Sequence, residues 1–183
     1  MKTTTVQARW RPNLGLFLGR KMAIFDIDGV LADNSHRLHY ALEDKDYEKY
    51  YSAEEVLKDK LILPGIDLLQ ALKDDYNIHF VTARNKICCG ATAQWLSENV
   101  IAYGYTENAI TTVYRDEHDF RPSPIVKVEQ MRKLFKFLNV SEDNAEGLFI
   151  DDDPENVKAI EKAFPKFKGL VFGTGRLEEE NGS

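Results

Sequence analysis

The chain has 183 residues, is 43% hydrophobic and 30% charged, and carries a formal net charge of −6. That length fits one compact domain, and the apolar fraction fills a core, which excludes a disordered chain and a disulfide-stapled miniprotein. No apolar run approaches the roughly 20 residues of a membrane span, so no membrane partner is expected. The cysteines, Cys88 and Cys89, are adjacent. That spacing suits neither a disulfide nor a metal cluster, so free thiols in a reducing, cytoplasmic compartment are expected. Charge is uneven. Residues 1–21 hold Lys2, Arg9, Arg11, Arg20 and Lys21 and no acid, giving +5, so the remainder carries −11. An acidic body argues mildly against a large nucleic-acid groove and suggests carboxylates gathered around a cation.

Residues 1–21 show no clear periodicity and read as a basic arm, ahead of a domain spanning 22–175 and an acidic tail at 176–183. Met22-Ala23-Ile24-Phe25 is a buried strand that ends at Asp26. The segment 34–60 breaks the strand–helix rhythm. It carries His36, Arg37, His39, Tyr40, Tyr47, Tyr50 and Tyr51, with Ser52-Ala53-Glu54-Glu55 as a capping box, and reads as a small helical cap insertion. Pro64 to Asp75 places Ile66, Leu69 and Leu72 on one helical face, and Ile78-His79-Phe80-Val81 is the next strand, ending at Thr82. A helix over Thr92–Val100 and a strand around Ile110–Tyr114 follow. Ser123-Pro124 is expected to cap a long helix with the stripe Ile125, Val128, Met131, Phe135 and Leu138. Gly147-Leu148-Phe149-Ile150 is a strand, Asp153-Pro154 starts a helix to about Phe164, and Gly169-Leu170-Val171-Phe172 is the last strand. Short buried strands alternating with helices predict an α/β fold with a parallel sheet of about five strands. Ligands in such folds gather beyond the carboxyl ends of the strands, where Asp26, Thr82 and Asp151 are expected together.

Four local features carry chemistry. In Phe25-Asp26-Ile27-Asp28-Gly29 two carboxylates leave a hydrophobic strand two residues apart and a glycine permits a sharp turn. One can stay ionised as a nucleophile while the other handles protons, although strands also end in plain Asp-Gly turns. In Val81-Thr82-Ala83-Arg84 the hydroxyl, with neighbouring backbone amides, suits a phosphate oxygen, and it equally suits a helix cap. Lys127 stands one turn into the long helix, where a lysine is ordinarily solvated. Asp151-Asp152-Asp153 puts three acids after an apolar strand, a set that suits magnesium, with Asp153 explained as a helix cap.

The order Asp26/Asp28, Thr82, Lys127, Asp151/Asp152 resembles the four motifs of the haloacid dehalogenase (HAD) superfamily from about Met22 to Phe172. The resemblance implies a Rossmann-like three-layer fold and Mg2+-dependent phosphoryl transfer through a phosphoaspartate. By that resemblance Asp26 attacks phosphorus and binds the metal, and Asp28 protonates the leaving oxygen, then activates water, and offers its backbone carbonyl to the metal. Thr82, Ala83 and Lys127 hold the phosphoryl oxygens, Asp152 ligates magnesium, and Asp151 acts through water. An acid at Asp28 favours a phosphatase over a dehalogenase. Ser35-His36-Arg37-Leu38, Tyr114-Arg115 and Asp119-Phe120-Arg121-Pro122 are further similar to the phosphatase half of polynucleotide kinase-phosphatases and to related phage-type nucleotidases. That similarity makes Arg115 and Arg121 substrate-binding candidates, with Arg84 and Arg37 behind them. No Gly-x-x-x-x-Gly-Lys-Ser/Thr loop occurs, so a kinase half is absent from this chain.

A small phosphorylated partner is expected, a (deoxy)nucleoside monophosphate first, since an acidic body repels long polyanions. A nucleic-acid 3′ end is the alternative, supported by the closer motif resemblance and the basic arm. A non-catalytic binding module comes last. Tyr40 and Tyr47 suit either stacking on a base or packing of the insertion onto the core.

Overall fold

A computed structural model of the chain describes residues 21–101 and 111–173. The expected arm and tail therefore lie almost wholly outside the described residues. The central strand β1, Met22–Phe25, is buried along its length and pairs in parallel with β4, Asn77–Asn85, and with β6, Gly147–Asp151. The outer strands are β5, Thr112–Arg115, beside β4, and β7, Phe167–Val171, beside β6, also parallel. The sheet order β5-β4-β1-β6-β7 reverses direction at β1. This switch point, between the carboxyl ends of β1 and β6, is where an open α/β sheet leaves a crevice.

Alternation along β1 decides which layer each residue joins. Ala23 and Phe25 face a cluster with Ile66 and Leu69 of α4 (Leu63–Leu72) and Trp95 and Leu96 of α5 (Cys89–Leu96). Met22 and Ile24 face the other side, against Met131, Leu134 and Phe135 of α6 (Ser123–Leu138) and Val157 and Ile160 of α7 (Pro154–Ala163). Helix, sheet and helix layers result, as the alternating pattern predicts.

Several boundaries differ from expectation. Strand β4 continues past Thr82 to Asn85, with an irregular register against β5 between Val81 and Asn85. Ser123 is the first residue of α6 rather than its cap; Pro122 occupies that position and no side-chain cap forms. α5 begins at Cys89 and passes into a π-helical turn over Ser97–Ile101. Residue 110 of the expected strand lies outside the described residues. Asp153 does cap α7, accepting from the Glu155 amide at 2.8 Å.

The insertion is three short helices, α1 (Leu38–Leu42), α2 (Tyr47–Tyr50) and α3 (Ala53–Val56). Ser52 accepts from the Glu55 amide at 3.3 Å, as the capping box requires. A two-stranded antiparallel ribbon, β2 (Ala32–Asp33) with β3 (Lys60–Leu61), closes its base. The ribbon ties entry to exit, so the insertion folds back beside the strand ends. Among the described residues no helix is long and apolar enough to cross a membrane.

Candidate active site

Burial of β1 delivers Asp26 to the sheet's carboxyl edge, where the chain turns sharply. The amides of Leu31 and Ala32 both donate to the Ile27 carbonyl at 2.8 Å. Gly29 makes this turn with φ +77°, a region that other residues rarely adopt. The turn also needs a bare Cα for space, because a Cβ there would stand 2.1 Å from Asp152 Oδ2. One glycine thus lets the first motif and the last approach each other.

Asp26, Asp151 and Lys127 meet below that turn. Lys127 is fully buried, an unusual place for a lysine, and its ammonium lies 2.9 Å from Asp26 Oδ1 and 3.1 Å from Asp151 Oδ2. It also donates to the Val81 carbonyl at 2.7 Å. Burial opposes its charge, but Asp26 and Asp151 together hold its pKa above the usual lysine value. Asp26 accepts the Ile27 amide at 2.7 Å. Burial pushes its pKa up to about 7, Lys127 opposes this, and the charges of Asp151 and Asp28 add to it. Asp152 is raised as well, first by burial and then by Asp151.

Carboxylate oxygens of Asp26, Asp151 and Asp152 lie within 4.8 Å of one another. Asp151 Oδ1 is occupied, accepting from the Asp153 amide at 3.0 Å and from Asn156 Nδ2 at 2.9 Å. Among the described residues its buried Oδ2 has no hydrogen-bond partner, only the ion contact with Lys127. Three carboxylates crowded this closely, one of them with an oxygen met by the Lys127 ammonium alone, fit a hard divalent cation that takes oxygen ligands. Magnesium suits the donor set.

Thr82 is fully buried, and its Oγ accepts from the Arg84 amide at 3.2 Å. Its carbonyl receives Gln130 Nε2 at 2.7 Å. Ala83 follows at the half-buried end of β4. Asp28 meets Arg37 of the insertion and Arg84 at the end of β4. Arg84 Nη2 reaches its Oδ1 at 2.6 Å and Arg84 Nε lies 3.1 Å from Oδ2, while Arg37 Nη2 stands 3.3 Å from Oδ1. Both arginines are buried, so in this arrangement they face a carboxylate and not open solvent. Arg37 also lies 4.5 Å over the Tyr50 ring. Of the other candidates, Arg121 is exposed and forked onto Asp119 and Glu129, each at 2.7 Å. Arg115 Nη1 donates to the carbonyls of Asp119 and Arg121 at 3.4 and 3.2 Å.

Tyr47 is exposed and the Tyr40 ring lies tilted against His39, their centroids 3.9 Å apart. Cys88 and Cys89 are both free, and the Cys88 thiol donates to the Asn85 carbonyl at 3.0 Å. Sequence reasoning passed over Gln130, Asn156 and Asp59. Gln130 had a readable signal, since three residues after Lys127 on a helix is the same face.

Comparison with known proteins places the fold. Solved structures of similar fold include a haloacid dehalogenase-like family hydrolase from Streptococcus pneumoniae, at TM-score 0.58 and 16% identity over 85% of this chain and 86% of that one. A chain in a Pnkp1/Rnl/Hen1 complex matches at TM-score 0.57 and 20% identity, over 94% of this chain but 50% of that one. A HAD family enzyme from Bacteroides thetaiotaomicron, solved with magnesium and inorganic phosphate, matches at TM-score 0.52 and 15% identity, over 88% and 98%. No curated protein sequence matches significantly. The family model described as the polynucleotide kinase PNKP phosphatase domain matches residues 20–159, which include every residue of the cluster above. The chain therefore belongs to the PNKP phosphatase-domain family, hydrolases of the HAD superfamily.

Proposed function

We propose that the protein is a magnesium-dependent phosphomonoesterase that removes the phosphate from a nucleic-acid 3′ end, working through a phosphoaspartate on Asp26. The observation that carries the reaction is Asp26 and Asp151 converging on buried Lys127, beside Asp152 and a second acid, Asp28. The family match supports the substrate, as does a cap insertion whose longest helix has only 5 residues. A cap so small leaves room for the end of a polymer.

The chemistry follows from the positions. Asp26 Oδ attacks phosphorus as the ester P–O bond breaks, and Asp28 gives its proton to the departing oxygen. Water then attacks phosphorus, Asp28 takes its proton, and the Asp26 carboxylate is restored with release of phosphate. Lys127 is fixed by Asp26, Asp151 and the Val81 carbonyl, so it presents positive charge to the phosphoryl group without reorganising. The Thr82 hydroxyl and the Ala83 amide supply neutral donors. Asp26, Asp152, Asp151 and the Asp28 backbone carbonyl would hold magnesium, which when bound neutralises charge on the phosphoryl oxygens. Acid–base help supplies roughly 10²–10⁴ of the acceleration, so positioning and charge supply the larger share.

A free (deoxy)nucleoside monophosphate is the second reading. It is favoured by Arg121, whose guanidinium is already taken by Asp119 and Glu129 and so does not offer itself to a polyanion. A phosphate-release assay over 3′-phosphorylated oligonucleotides, mononucleotides and sugar phosphates separates the two. A preference for oligonucleotides that weakens steeply with salt supports the 3′-end reading. Equal or better turnover of free mononucleotides, insensitive to salt, overturns it.

A further inference from the structure

The loop that runs from β5 into α6 carries Phe120, which the reaction above does not use and which is 86% exposed, the most of any large apolar side chain among the described residues. The backbone on either side of it is pinned. The Asp119 amide donates to the Asp116 carbonyl at 3.1 Å, which closes a turn. The Arg121 amide and Nε donate to Asp119 Oδ1 at 3.1 and 2.9 Å, and Arg115 Nη1 holds the carbonyls of Asp119 and Arg121. Lys133 of α6 anchors Asp116 at 2.6 Å. At the end of β4, Asn85 donates from Nδ2 to the Glu117 carbonyl at 3.1 Å and accepts the Ile87 amide on Oδ1 at 3.0 Å. One side chain thus bridges the loop of Phe120 to that of Ile87, itself 67% exposed.

A single exposed apolar side chain needs no explanation, but this pair stands on two tied loops at the edge where the reaction occurs. β5 lies two strands from β1, about 10 Å away, and Lys127 follows one turn into the helix that the loop enters. A nucleotide spans that scale between its phosphate and the far edge of its base. Residues 116–121 line an open depression of about 680 Å³. Asp116, Glu117 and Asp119 make its rim acidic, which repels phosphate and suits the amino edge of a base. The Phe120 ring offers a flat stacking face, and a pinned loop loses little freedom when a base lands on it. We infer that Phe120 is the stacking platform for the nucleobase next to the scissile phosphate, so that the substrate is recognised by its base and not as any phosphate ester. This deepens the proposed function and rests on its nucleotide substrate.

Two 3′-phosphorylated dinucleotides test it, one complete and one with an abasic deoxyribose at its 3′ terminus. The wild type should favour the complete one by about 10-fold in kcat/KM, within the range that base–aromatic stacking supplies. Phe120→Ala should lower kcat/KM on the complete substrate by about 10-fold, chiefly through KM, and hold the abasic one within about 2-fold. Phe120→Trp should keep the preference. Equal losses on the two substrates, or none, overturn the platform. A binding measurement separates this from failure of the phosphatase reading. With Asp26→Asn in place, a 3′-phosphorylated dinucleotide whose terminal base is 2-aminopurine should lose fluorescence on binding, and should keep it when Phe120→Ala is added. Such quenching by a protein whose wild type turns over neither dinucleotide upholds the platform and refutes the phosphatase. Turnover without quenching that depends on Phe120 refutes the platform alone.

Discussion

His79 sits in the middle of β4, where it pairs with Ile24 of β1, and is 1% exposed. Neither ring nitrogen has a hydrogen-bond partner among the described residues, and burial alone pushes its pKa down to about 4 from 6.5. The native state therefore holds a neutral imidazole, whereas the unfolded chain takes up a proton below pH 6.5. Stability from this residue is complete above pH 6.5 and falls as pH drops toward 4. The loss works out to about 2 kcal/mol at pH 5 and about 3 kcal/mol below pH 4, with 1.36 kcal/mol for each tenfold change in proton affinity. His79→Leu keeps the strand buried and removes the titration. Urea denaturation of both proteins at pH 7.5 and pH 5.0 isolates the effect, because every carboxylate titrates in both and cancels. The variant should gain about 2 kcal/mol on the wild type between the two pH values. A difference that stays constant within about 0.5 kcal/mol would refute the burial of an unpartnered neutral ring.

Other expectations concern the acidic cluster. Gly29→Ala forces a side chain into a left-handed turn and a Cβ into the Asp152 carboxylate. Because that carboxylate is the end of a movable side chain, the fold should survive while magnesium affinity, read by isothermal titration calorimetry, falls at least about 10-fold; unaltered affinity would count against Asp152 as a ligand. Asn156→Ala removes the donor that orients Asp151. Loss of such an outer partner should weaken magnesium binding by about 10–100-fold, with circular dichroism unchanged, and an affinity equal to wild type would contradict that positioning.

Legibility in the sequence followed the physics of each segment. The central strands were readable because apolar runs buried on both faces end abruptly in Asp26 and Asp151, whereas their order in the sheet comes only from the structure. The helix over α6 was readable from its stripe, but its start was not, since Pro122-Ser123-Pro124 offers two residues that can open a helix. Thr82 looked like a strand end because Thr82, Arg84 and Asn85 are polar and follow the apolar run, yet β4 carries on through them. Asp59 was illegible for a different reason. It stands among Glu54, Glu55, Lys58 and Lys60, a stretch that reads as a solvated face, and its partners, Arg37 and Arg84, lie 22 and 25 residues away. Long-range pairing of charges leaves no local pattern. His79 hid in the same way, as one ring within an otherwise apolar strand.

The central claim is that Asp26 takes the phosphoryl group. Phosphate release from a 3′-phosphorylated oligonucleotide, measured for the wild type and Asp26→Asn with magnesium and with chelator, tests it most directly. The wild type should turn over only with magnesium. Asp26→Asn should be inactive under both conditions while its circular dichroism stays that of the wild type. Turnover by Asp26→Asn at the wild-type rate would contradict the account.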